Sequence, residues 1–114
     1  MKKTENPSIE SLINANVDYP RGSRVITTMF NKPIDYDVVL EDDILDDEQF
    51  VVAVGPFVND LEPGMKVRLD LDRLSVTLRD NNGEQYSKLQ VDPIMVGETI
   101  CGLISESIIK TIIK

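Results

Sequence analysis

Eight carboxylates (Asp35, Asp37, Glu41, Asp42, Asp43, Asp46, Asp47 and Glu48) stand within fourteen residues that contain no Lys or Arg. Clustered carboxylates can hold a divalent cation, act as an acid–base pair, or attract a cationic partner. A cation site is not expected, because Asp42-Asp43-Ile44-Leu45-Asp46-Asp47-Glu48 lacks the alternating Asp/Asn ladder and central Gly of a calcium loop. Paired-carboxylate hydrolysis is not expected either: a chain of 114 residues with no Trp and 5% aromatic content has little from which to build a substrate cleft. The absence of His removes Ser–His and Cys–His nucleophile pairs, the commonest zinc ligand and the usual proton shuttle near neutral pH. The single thiol, Cys101, lies in an apolar stretch and reads as a buried, inert side chain. The sequence therefore nominates no catalytic residue, no metal ligand and no cofactor, and no enzymatic activity is expected.

The remaining use of the acids is recognition. Twenty acidic and twelve basic residues leave a net charge of −8, and outside the acidic segment twelve acids face twelve bases. The whole net charge thus resides in residues 35–48. Such a block repels itself and resists burial, so a loop is expected there. An acidic chain also lacks the clustered Lys and Arg that a phosphate backbone demands, and no nucleic-acid partner is expected. The acids enclose two apolar clusters, Val38-Val39-Leu40 and Ile44-Leu45. Two readings stand side by side: a solvated loop, or a segment that lays Val38, Val39, Leu40, Ile44 and Leu45 onto a partner's apolar groove while the acids steer it.

The elements that would carry this loop are mostly strands. Arg24-Val25-Ile26-Thr27-Thr28-Met29-Phe30 is β-branched and aromatic and is bounded by Pro20-Arg21-Gly22 and Asn31-Lys32-Pro33. Phe50-Val51-Val52-Ala53-Val54 is an apolar run ended by Gly55-Pro56, as for a strand buried on both faces. After the Pro63-Gly64 turn, Met65, Val67, Leu69 and Leu71 alternate with Lys66, Arg68, Asp70 and Asp72. Residues 75–91 read as a hairpin around Asp80-Asn81-Asn82-Gly83-Glu84, where Asn-Gly supplies positive φ angles. The terminal stretch is ambiguous: Ile104, Ile108, Ile109, Ile112 and Ile113 fit a helical stripe, whereas the isoleucine density favours strands.

The chain divides into an N-terminal arm, residues 1–16, and a β domain, residues 17–114, with the acidic loop at 33–49. In the arm, Asn6-Pro7-Ser8 can start a short helix with Ile9, Leu12 and Ile13 on one face, or the arm stays unstructured. Met1-Lys2-Lys3 is followed by Thr4-Glu5-Asn6-Pro7 where a signal peptide would need an apolar run, and no stretch has the length of a membrane span. A cytoplasmic protein without membrane contact is expected. Short strands separated by Gly and Pro turns point to an all-β fold, a small barrel or sandwich.

Three stretches carry a resemblance to a known family. They are Tyr19-Pro20-Arg21-Gly22-Ser23-Arg24-Val25-Ile26; Phe50-Val51-Val52-Ala53-Val54-Gly55-Pro56 with Glu62-Pro63-Gly64-Met65-Lys66-Val67; and the closing Leu103-Ile104-Ser105-Glu106-Ser107-Ile108-Ile109. Together they resemble the GroES-type co-chaperonin family, over residues 17–114, closest in style to its virus-encoded members. The resemblance implies a small irregular GroES-like β-barrel that forms a homo-oligomeric ring. It also implies a subunit interface in which Ile108, Ile109, Ile112 and Ile113 pair with Val25, Ile26 and Met29 of the next protomer. By position, residues 33–49 match the family's mobile loop, with Val38-Val39-Leu40 as the tripeptide that docks on a chaperonin. Compared with the family, this loop is shorter, glycine-free and more acidic. Residues 55–64 are too short for the roof hairpin, and the N-terminal arm is additional. Two functions follow as expectations: a co-chaperonin that caps a chaperonin, or an auxiliary or decorating protein of a phage virion that binds capsid proteins through the same barrel.

Overall fold

The structure is a computed structural model that describes residues 6–32 and 45–114. Its elements in chain order are helix α1 (Ile9–Ala15), strands β1 (Arg24–Thr28), β2 (Glu48–Val54) and β3 (Lys66–Leu69), and a one-turn helix α2 (Leu71–Leu74). Strands β4 (Ser75–Arg79), β5 (Gln85–Leu89), β6 (Asp92–Val96) and β7 (Thr99–Ser105) follow, then a 3-10 turn (Glu106–Ile108) and β8 (Ile109–Ile113). The fold is mostly β. Six strands form an antiparallel sheet in the order β6-β7-β1-β2-β3-β8, and β4 and β5 form a separate two-stranded ribbon. Among the described residues a closed barrel is not detected, because β6 and β8 stand at opposite ends of that order.

Strand β2 joins the two halves of the sheet. Its C-terminal half pairs with β1 (Val25↔Val54, Ile26↔Ala53, Thr27↔Val51), and its N-terminal half pairs with β3 (Glu48↔Arg68, Gln49↔Val67, Phe50↔Lys66). The register slips between Ile26 and Thr27, so Val52 is an extra residue on β2. Such a bulge sharpens the local twist and lets the strand turn from one partner to the next. It also puts Val52 and Ala53 into the same apolar cluster, although neighbours on a regular strand face opposite ways.

Two clusters result. One packs Val25, Val51, Val58, Leu61, Val67, Leu69, Leu74 and Ile104 between the halves of the sheet. The other lies on the opposite face, where Leu12 of α1 covers Ile26, Val52, Ala53, Val96 and Cys101. Burying a side chain of that size is worth about 1.5–3 kcal/mol, which is why so short a helix forms: α1 is held by docking more than by its own propensity. Ser8 starts it, its hydroxyl accepting the Ser11 N–H at 3.2 Å.

Several boundaries move relative to the sequence reading. Strand β1 stops at Thr28, two residues short of Phe30, and β2 begins at Glu48, so the last two residues of the expected loop 33–49 belong to the sheet. The alternation that began at Met65 ends at Leu69, because the chain turns into α2, where Leu74 is buried. The hairpin forms with all five pairs in register, from Ser75↔Leu89 to Arg79↔Gln85. In its turn only Gly83 has positive φ, at 81°, while the Asp80 carboxylate accepts the Asn82 and Glu84 N–H groups, both at 2.9 Å. The terminal isoleucines resolve as strands: Ile109, Thr111, Ile112 and Ile113 of β8 pair with Leu69, Arg68, Val67 and Lys66.

Candidate partner-binding surfaces

The acidic segment leaves and rejoins the sheet at a built junction. Asn31 and Leu45 form an isolated antiparallel bridge, and the Asp46 N–H donates to the Phe30 carbonyl at 3.0 Å. Gln49, fully buried, ties both sides together. Its Oε1 accepts the Thr28 hydroxyl at 2.8 Å and the Phe30 N–H at 2.9 Å, and its Nε2 donates to the Phe30 carbonyl at 2.8 Å and the Asp46 carbonyl at 2.7 Å. A primary amide has two donors and two acceptor lone pairs, so Gln49 is fully satisfied here. The Thr28 hydroxyl in turn accepts the Phe50 N–H at 2.9 Å.

Charge is partly answered at the same end. Arg68 stands 3.4 Å from both Asp47 and Glu48, and Lys66 stands 4.0 Å from Glu48 and 5.8 Å from the centre of the Phe50 ring. These groups are all well exposed, so each pair contributes only about 0–1 kcal/mol. Their effect is to hold the start of β2 against β3. Of the five residues nominated for partner binding, Val38, Val39, Leu40 and Ile44 lie outside the described residues. Leu45 is half-buried at the bridge and lines an apolar groove with Met29, Val91, Pro93 and Ile100.

The nominated subunit interface divides. Strand β1 has both edges paired within the chain, to β2 and β7, and Val25 and Ile26 are fully buried. These two residues therefore do not meet a neighbour as the sequence reading required: their backbone hydrogen-bonding capacity is already used. Met29 lies just beyond β1 and packs half-buried against the core, as do Ile108 and Ile109. Strand β8 has a partner on one side only, β3. Ile113 is half-buried, whereas Ile112, opposite fully buried Val67, is partly exposed because the sheet ends there. Alongside that edge runs a groove of about 460 Å3, lined by Asp60, Leu61, Glu106, Ile109, Lys110 and Ile112.

A second unpaired segment precedes β1. Residues 17–20 have no regular secondary structure, and Val17 and Tyr19 are each 85% exposed. Their i, i+2 spacing before Pro20 was a legible sign of an extended apolar segment, and it was missed. Gln49 was missed as well; the available signal was a polar residue two positions before the apolar Val51. Cys101 is free and buried, and burial pushes its thiol up to about 11. Among the described residues no group of three or more acidic or Cys side chains is placed to hold a metal ion, and no helix is long and apolar enough to cross a membrane. No protein-family model, curated protein or solved structure matches this chain.

Proposed function

We propose that this protein is a GroES-like co-chaperonin: a non-enzymatic barrel subunit that assembles head to tail into a ring and binds a chaperonin through the acidic segment. One observation carries the reading. The chain holds both halves of a strand pairing that it does not make with itself: the open edge of β8 and the extended, exposed segment around Val17 and Tyr19. Joining one to the other between copies would cover Ile112 and the two exposed side chains and give the edge backbone its missing partners. Two different surfaces meeting in this way make a heterologous contact, which closes into a ring when the rotation allows. This pairing replaces the one with β1, whose edges are occupied.

The docking residues in this reading are Val38, Val39 and Leu40, presented from a junction that Gln49 holds together. Native mass spectrometry of the full chain tests the assembly. A ring is expected, and Ile112→Asp or Tyr19→Asp, each at an exposed position, is expected to release subunits. A strictly monomeric mass at micromolar concentration sinks it. Docking is tested separately by nucleotide-dependent co-elution with a chaperonin, to be lost when Val39 and Leu40 become Ser.

A second reading, an auxiliary capsid protein of a phage, rests on the stretch between β2 and β3. Residues 55–65 are turn and coil with no hairpin that could roof a chamber. A decorating subunit needs no roof. Recovery of the protein in purified particles supports that reading, and its confinement to the lysate removes it.

A further inference from the structure

We propose that the groove at the base of the acidic segment is a receptor for a cationic amphipathic segment of another protein, seating a bulky apolar side chain between Met29, Leu45 and Ile100. The groove measures about 260 Å3, room for one large side chain, and its lining is almost wholly apolar. It continues onto the β6–β7 hairpin. Met95 and Ile100 are directly paired across those strands, so their side chains share a face, and they are 54% and 61% exposed. Two thioethers border the site, Met29 and Met95, and unbranched methionines adapt to ligands of varied shape.

The floor depends on Gly102. A side chain there would collide with Met29 and Val91, so the glycine lets Met29 lie across β7 beneath the groove. The rim at Asn31 and Leu45 is the bridge reinforced by Gln49, which gives the site a fixed wall.

Charge selects the occupant. The segment between Asn31 and Gln49 carries the entire net charge of −8, and the basic side chains nearest its end in the fold, Lys66 and Arg68, are turned to Asp47 and Glu48. An apolar groove beside such a segment favours an apolar anchor flanked by Lys or Arg and repels acidic segments. The same charge disfavours nucleic acid. This surface is distinct from the β8 edge, and the proposal needs neither a ring nor a chaperonin.

Titration of the full chain with an amphipathic lysine–leucine peptide tests it, followed by the methyl signals of Met29, Met65 and Met95. Binding that shifts Met29 and Met95 and leaves core-packed Met65 in place is expected. A matched lysine–serine peptide is expected to bind at least about tenfold more weakly, and a glutamate–leucine peptide not at all. Ile100→Ser with Met95→Ser, at exposed positions, is expected to weaken the lysine–leucine peptide about tenfold, the equivalent of about 1.4 kcal/mol. Equal binding of the leucine and serine peptides, or unmoved Met29 and Met95 signals, overturns the proposal. A monomeric mass overturns the ring alone and leaves this result standing.

Discussion

Replacing Gln49 by Leu keeps the bulk of the side chain and deletes four hydrogen bonds at the junction of the acidic segment. Three groups lose a partner: the Thr28 hydroxyl, the Phe30 N–H and the Asp46 carbonyl. The Phe30 carbonyl keeps the Asp46 N–H. A buried polar group left unpaired costs about 1–3 kcal/mol, so the three together cost about 3–6 kcal/mol, and the more apolar Leu offsets about 1–2 of this. The net loss is about 2–4 kcal/mol, a large share of the stability of a small domain. In urea, with a slope of about 1.5 kcal/mol per molar, the midpoint falls by about 1.5–2.5 M with the slope unchanged. Gln49→Glu is a sharper probe. It preserves the acceptor for Thr28 and Phe30 but sets a carboxylate oxygen against the Phe30 and Asp46 carbonyls. Burial there disfavours the charged form, so the variant is more stable in acid and loses stability as pH rises through the raised pKa. Amide exchange at Phe30 and Asp46 is expected to quicken in both variants more than at Ile26. A midpoint shift for Gln49→Leu below about 0.3 M would refute the reasoning, because it would mean that the amide ties nothing together.

Other outcomes follow from single positions. Thr27 is fully buried and its hydroxyl has no partner, so Thr27→Val is expected to raise stability by about 1 kcal/mol, read as a higher urea midpoint. Leu12→Ala undocks α1 from Ile26, Val52 and Ala53 and is expected to cost about 2–4 kcal/mol, with loss of helical signal ahead of global unfolding. Cys101 is expected to resist a thiol reagent at pH 8 in the native chain and to react fully in urea. Its folded pKa of about 11 lies above the ordinary 9.0, so ionisation favours the unfolded chain. Thermal stability is therefore insensitive to this thiol below pH 9 and declines as pH rises from about 9 to 11.

Where local chemistry decides the conformation, the sequence was legible. Ser8 with Ile9, Leu12 and Ile13 foretold α1, since a capping hydroxyl and a helical apolar spacing act within a few residues. Asn82-Gly83 foretold the β4–β5 turn for the same reason. The isoleucines near the C-terminus were not decidable, because a spacing of three and four suits a helix while β-branching suits a strand. Their partner on β3, more than forty residues earlier in the chain, settled the matter. The alternation from Met65 to Leu71 overran its strand because α2 buries Leu74 against the core and the Asp70 N–H donates to the Ile108 carbonyl at 2.7 Å. Neither contact leaves a trace in the local pattern.

The same division governs function. Composition alone located the −8 charge in one segment, removed histidine chemistry and set nucleic acid aside, because these are properties of residue types and need no coordinates. Which strand edges are open could be decided only by the tertiary structure. Strand β1 is rich in β-branched residues and looked free to meet a neighbour, but β2 and β7 consume both its edges, and exposure passes instead to Val17, Tyr19 and Ile112. Gln49 shows this most plainly: a polar residue at the head of an apolar strand becomes the tie at the acidic segment's base only once residues 28, 30 and 46 are brought around it. Hydrogen-bond pairing between distant residues is a property of the folded chain, and it determines which surfaces remain for a partner.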